Sequence, residues 1–346
     1  MNLSKEDRIQ GVLIGTAVGD ALGLPAEGLS ARRIARRWPN RWRMNLLFSK
    51  GMISDDTEHT LMVAQALLAA PADASAFQQQ LARKLRWWLL GLPAGLGMAT
   101  LKACLKLWLG VPPARSGINS AGNGPAMRSA VIGVFFADDP QRRKAFVAAS
   151  ARLTHRDPRA EIAALAVAET AALLFQGRAD EILDVLPTQG ANEEWQRLCH
   201  QLVQALAAGW SVREFARALS LENGVSGYAL HTVPIAIYAA LRHGEDFEAA
   251  LISALECGGD TDTVGAIVGA LVGARVGTNG IPPQWVDGIA DWPRSIPLLR
   301  KVAQQLSLPH GEGRPVPYFL PGVVPRNLLF LAVVIAHGFR RWLPPY

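Results

Sequence analysis

Cysteine is scarce in this 346-residue chain, which has only Cys104, Cys199 and Cys257. Their spacing fits neither a disulfide framework nor a thiolate metal site, so a reducing compartment is expected. Long apolar runs are also missing. Leu328 to Ala336 is an unbroken one, and it is too short to cross a bilayer. The charged N-terminus lacks the apolar region of a signal peptide, so a cytoplasmic location is expected. No motif for nucleic acid is present, which removes nucleic acid as an expected partner. No repeat of solenoid period occurs. β-branched runs are short, which argues against a sheet protein.

What remains is alanine, leucine and glycine at helical spacing. Half the residues are hydrophobic and 18% are charged, enough apolar surface for a sizeable core. An all-α protein is expected. Helices are predicted over 5–24, 54–70, 75–90, 99–109, 126–136, 140–153 and 158–175. Others are predicted near 179–186, 192–208, 211–219, 228–242 and 246–256, ahead of a last one that begins at Thr261. Residues 1–307 read as one unit and 308–346 as a Pro/Gly linker with an apolar tail. The tail docks on the main body or, through 328–342, meets a membrane surface or a protein. Net charge is +6, with basic residues dense in Arg32 to Arg43 and at the C-terminus. That excess favours an anionic partner or a phosphate-bearing ligand. A monomer is expected.

Two glycine rows stand out. Gly11, Gly15, Gly19 and Gly23 recur every four residues, and so do Gly265, Gly269, Gly273 and Gly277. Each interior glycine costs a helix roughly 1 kcal/mol against alanine. Such rows make sense where two helices pack backbone to backbone. The membrane-dimer reading of this spacing is disfavoured by Asp20 and Glu27, which interrupt the apolar run.

Acid-and-hydroxyl turns open two of the helices: Ser54-Asp55-Asp56-Thr57 and Asp260-Thr261-Asp262-Thr263. Each by itself reads as a helix start, with Asp55 as N-cap and Glu58 completing a capping box. Taken with the glycine rows, they suggest convergence on one cleft. Four aspartates within about 5 Å would repel by several kcal/mol per pair at an effective dielectric near 20. A cation or bound protons must hold them. Oxygen ligands without clustered His or Cys suit a hard divalent ion. Ser120 to Arg128 is a Gly-rich loop running into a helix, a pattern able to cradle phosphate. Thr154-His155 precedes another helix.

In this order, Gly11 to Glu27, Ser54 to Thr57, Gly122-Asn123-Gly124 with Met127-Arg128, Thr154-His155, Gly227-Tyr228 and Gly258 to Thr263 resemble the ADP-ribosylglycohydrolase family. The resemblance covers roughly residues 7–280. It implies a compact orthogonal multi-helix fold with Mg²⁺ or Mn²⁺, two ions being expected, in a central cleft. By analogy the ligands are Ser54, Asp55, Asp56, Asp260, Asp262 and Thr263. Asp55, Asp56 and Glu27 are the implied catalytic residues. Ser120, Gly122, Asn123, Gly124, Met127 and His155 would hold the substrate, and Tyr228 would stack on adenine. The implied reaction frees ADP-ribose from a modified protein, with arginine the leading attachment site. Serine-linked ADP-ribose, O-acetyl-ADP-ribose and a non-catalytic ADP-ribose binder are the alternatives. Glu58 and His59 depart from the family pattern, and His59 is a candidate substrate contact.

Overall fold

The structure, a computed structural model, describes residues 3–38 and 42–342. Arg41 of the basic segment and residues 343–346 of the tail lie outside the described residues. The principal helices are α1 (Lys5–Gly23), α2 (Ala31–Arg37), α3 (Asp55–Ala69), α4 (Ala74–Leu90), α5 (Met98–Trp108), α6 (Pro140–Thr154), α7 (Pro158–Gln176), α8 (Ala229–His243), α9 (Thr261–Val276), α10 (Ile296–Ser307) and α11 (Val323–Arg340).

The two glycine-striped helices form the centre. Along α1 and α9 nearly every residue from Ile9 to Gly23 and from Thr261 to Ala274 is buried. Neither has an apolar stripe because neither has a solvent face. They run antiparallel, backbone against backbone. A Cβ built on Gly19 would lie 1.9 Å from the Gly265 carbonyl oxygen, and one on Gly15 would lie 2.1 Å from that of Gly269. Only glycine permits this approach. Helices α3, α7, α8 and α10 pack around the pair.

A two-residue strand pair, Leu29–Ser30 with Gly258–Gly259, ties the chain leaving α1 to the chain entering α9. These are the only strands among the described residues. Gly258 and Gly259 have φ of 75° and 85°, a region that L side chains avoid. The helix expected over 126–136 is broken into Gly124–Met127 and Ala130–Phe135. At the break the buried Arg128 sends its guanidinium to the Ser150 carbonyl (3.0 Å) and Thr154 Oγ1 (2.7 Å).

The tail helix starts before its apolar run. Pro325 sits in its first turn, where the missing N–H has no intrahelical partner to lose. Arg326 anchors the helix. Its guanidinium donates to the Ile53 carbonyl at 2.5 Å, pairs with Asp291, and lies 3.4 Å from Glu58. Glu58 also pairs with Arg294 and accepts from Trp88 Nε1 at 2.5 Å. All four charged groups are nearly solvent-free. Glu58→Ala would leave two buried guanidiniums short of a counter-charge, a loss of about 3–5 kcal/mol. Urea denaturation should show a lower midpoint with an unchanged slope.

Candidate active site

One wall of the site is the start of α3, and α1 shapes it. Asp20, on α1, is fully buried. It accepts from the backbone N–H of Ser54 (3.1 and 2.9 Å), from that of Thr57 (3.2 Å) and from Thr57 Oγ1 (2.5 Å). Loss of solvation pushes its carboxyl up to about 6. Asp20 was not among the expected site residues. Its signal was an acid inside an otherwise apolar, glycine-striped helix, since a buried carboxylate must serve donors. The helix cap also differs from expectation. Ser54, not Asp55, is the N-cap; its hydroxyl accepts from the Asp56 N–H (3.3 Å) and donates to Asp56 Oδ2 (3.2 Å). Glu58 turns into the core instead of closing a capping box.

The other wall is the start of α9. Asp260 receives a 2.6 Å hydrogen bond from Asn123 Nδ2, which also reaches Thr232 Oγ1 at 3.0 Å. Asp260 sits at the N-cap position of α9 without a side-chain capping bond, so its carboxylate remains turned to the cleft. Thr263 Oγ1 donates to Asp56 Oδ2 at 3.3 Å. That bond joins two turns more than 200 residues apart in sequence. Carboxylate oxygens of Glu27, Asp260 and Asp262 lie within 4.8 Å of one another.

These groups fit a hard divalent cation. Asp56 Oδ1 is buried without a hydrogen-bond partner, and no Lys or Arg is among the described residues that line the cleft. Loss of solvation, reinforced by neighbouring carboxylates, pushes Asp55, Asp56 and Asp262 well above the usual carboxylate range. Glu27, at the mouth, is raised by lost solvation and by Asp260, with Arg341 acting in the opposite sense. Repelling carboxylates with an unmet oxygen are what a cation would satisfy.

The cleft measures about 560 Å³. Asp55, Asp56, Glu27, Asp260, Asp262 and Thr263 line it, together with Ser120, Gly122, Asn123, Gly124, Met127 and His155. A Cβ on Gly122 or Gly124 would stand 3.0 Å from the His155 ring, so the loop lies flat on that imidazole. Burial, with the Arg128 charge adding to it, pushes His155 down to about 3. Near neutral pH the ring is uncharged, held through Nδ1 by Thr154 Oγ1 at 2.9 Å. Gly95, Gly97, Met98 and Thr100 also line it. Gly95, Gly97 and Met98 fall between the helices predicted over 75–90 and 99–109.

Three residues singled out in the sequence do not line the cleft. Ser54 lies behind Asp56, as a cap. Tyr228 pairs its backbone with Gly122 at the rim, while its hydroxyl donates to Glu194 (2.8 Å) and accepts from Arg159 (3.3 Å). His59 is a correction: it is fully buried, its ring edge-on to Trp88 and its Nδ1 2.9 Å from Arg128. One helical turn, about 5.4 Å, carries it from the acid pair into the core.

Comparison with known proteins agrees with this geometry. The ADP-ribosylglycohydrolase family model matches residues 1–312. The chain is 29% identical to the ADP-ribosyl-[dinitrogen reductase] glycohydrolase of Rhodospirillum rubrum, over 82% of this chain and 90% of that protein. It is 25% identical to an ADP-ribosylarginine hydrolase of Serratia proteamaculans, over 87% and 79% respectively. A solved structure of an ADP-ribosylglycohydrolase-related protein complex superposes with a TM-score of 0.66 and 26% identity, covering 88% of this chain and 99% of that one. With its two acid turns facing one another in one helical cleft, this chain belongs to the ADP-ribosylglycohydrolase family of hydrolases.

Proposed function

We propose that this protein hydrolyses the N-glycosidic bond between ADP-ribose and an arginine side chain of a modified protein, with Mg²⁺ or Mn²⁺ as cofactor. The observation that carries the reading is the meeting of Asp56 with Thr263 beside the Glu27, Asp260 and Asp262 cluster. Asp55, Asp56, Asp260, Asp262 and the hydroxyl of Thr263 are the residues that would hold two ions, while Ser54, as the cap, would fix Asp56. Bound there, the cation supplies Lewis-acid polarisation and orientation of sugar and water oxygens.

The chain's own groups do the rest. A cleft lined by five carboxylates and no described Lys or Arg suits a cationic guanidinium at the anomeric carbon better than a neutral serine ether. A relative whose name specifies ADP-ribosylarginine supports the same linkage. Glu27, at the mouth with a raised carboxyl, would hand a proton to the leaving nitrogen. Asp55 or Asp56 would accept a proton from the attacking water. Water then adds across the carbon–nitrogen bond: hydroxyl to the sugar, proton to the nitrogen. The Ser120–Gly124 loop and neutral His155 would position the ADP-ribose.

Model substrates with arginine-, serine- and phosphate-linked ADP-ribose, each with and without Mg²⁺, test this. Release from the arginine conjugate should be at least roughly tenfold faster than from the others, and chelation should stop it. Release from the serine conjugate alone would assign the other linkage. A raised melting temperature with ADP-ribose but no hydrolysis would make the protein a binder.

A further inference from the structure

Helix α11 follows the stretch that the family model matches, and its two faces differ. One face is buried against the body through Val323, Arg326, Asn327, Phe330 and Val333. The other carries Val324, Leu328, Leu331, Ile335, Phe339 and Trp342, spaced 4, 3, 4, 4 and 3 apart, which is one helical stripe. These side chains are 39% to 82% exposed. Beside the stripe, Trp87, Leu90, Leu320 and Val324 border an apolar groove of about 530 Å³, with Arg83 and Lys84 also lining it.

The segments that meet at α11 carry charge of one sign. Segments 28–54, 74–137 and 313–346 contain no Asp or Glu at all. The three adjoin at α11: Phe330 and Val333 cluster with Leu46 and Met52 of the first and Ala94 of the second, and Asn327 Nδ2 bonds the Gly91 carbonyl at 2.7 Å. Arg32, Arg33, Arg36, Arg83 and Lys102 are exposed. His337 Nε2 lies 3.0 Å from the Pro25 carbonyl and Arg341 donates to it at 2.9 Å, which places the end of α11 on the chain that leads into α2.

From this we infer that α11 and its cationic flanks form a docking surface for an anionic phospholipid bilayer, with the helix lying in the interface. An exposed apolar stripe with an aromatic C-terminal end and basic flanking segments matches the two attractions such a surface offers. A spanning helix is excluded by Arg326 and Asn327, whose side chains are committed to Asp291, Glu58, Ile53 and Gly91. Self-association through the same face would oppose two arginine-rich patches, an unfavourable match for a two-fold interface. The surface also adjoins the cleft: Arg341 donates to the Glu27 carbonyl at 2.6 Å, and Gly97 and Met98 line the cavity. Docking would hold the mouth near membrane-associated substrates.

Sedimentation of the full chain with vesicles tests this. Phosphatidylcholine vesicles containing phosphatidylglycerol should bind it, pure phosphatidylcholine vesicles should bind it at least roughly tenfold more weakly, and salt should release it. The triple variant Leu328→Ser, Leu331→Ser, Ile335→Ser should lose affinity by roughly tenfold or more, with its melting temperature and hydrolysis in solution unchanged. Arg32→Glu with Arg36→Glu should lose the preference for anionic lipid. No binding to either vesicle would overturn the proposal, as would equal binding to both. A solution dimer dissolved by the serine variant would give the face to a second copy instead.

Discussion

Asp56→Asn should reduce release of ADP-ribose by roughly 10³-fold or more, the scale of removing a group that stabilises charge in a reaction centre. Asp56 is the hinge of the site. One carboxylate oxygen takes bonds from Ser54 and Thr263, and the other is buried without a partner. Asparagine keeps the shape and removes the charge. Without divalent cation the variant should therefore melt higher than the parent, because a desolvated carboxylate facing other carboxylates has been neutralised. A loss of activity with that gain in stability separates a functional role from a folding defect. Undiminished turnover in both Asp56→Asn and Asp260→Ala would sink the reaction centre.

The same cluster sets a pH dependence. Asp55, Asp56 and Asp262 are raised in the folded state, so the folded protein binds more protons than the unfolded chain. Their contribution to stability is then full below the ordinary carboxylate range, near pH 4, and is lost as pH rises through the raised values. A divalent cation competes with those protons. The gain in melting temperature from Mg²⁺ should be larger at about pH 8 than at about pH 5.5. An equal gain at both would show that these carboxyls do not meet the ion.

The second large effect is Gly19→Ala. The new Cβ would sit 1.9 Å from the Gly265 carbonyl oxygen, and the obstacle is backbone, which has no rotamer to change. The helices must part, at about 3 kcal/mol or more. Activity should fall further than stability alone explains, because α1 carries Asp20 and leads to Glu27 while α9 starts with Asp262 and Thr263. Gly338→Ala is the control. That glycine is helical and a Cβ there meets nothing within 4 Å, so a gain of up to about 1 kcal/mol is expected. Urea midpoints measure both. Equal midpoints for Gly19→Ala and the parent would refute the close packing.

Much of the centre was legible in the sequence because its signals are local in kind. A glycine every fourth residue states that something must approach the backbone. An acid-hydroxyl-acid turn before such a helix states that charge is wanted at its end. Other features were not legible because they depend on what faces them. Ser54 became the cap once Asp20 gripped the turn from another helix. His59 shares a helix face with the acid pair, yet one turn along the axis moved it from cleft to core. Glu58 looked like half of a capping box until Arg294 and Arg326, more than 230 residues away, claimed it. Gly95, Gly97 and Met98 line the cavity only because the chain folds them beside residues far away in sequence.

The sequence by itself determined the helical class, the pairing of two bare-faced helices and the acids at their ends. Composition and period act through the chain's own backbone, which is present before any fold. Tertiary structure alone decided which oxygens meet, which of them stays unsatisfied, and that the tail helix turns an apolar stripe outward beside basic segments. Those outcomes depend on distances between residues far apart in sequence, and only packing fixes such distances.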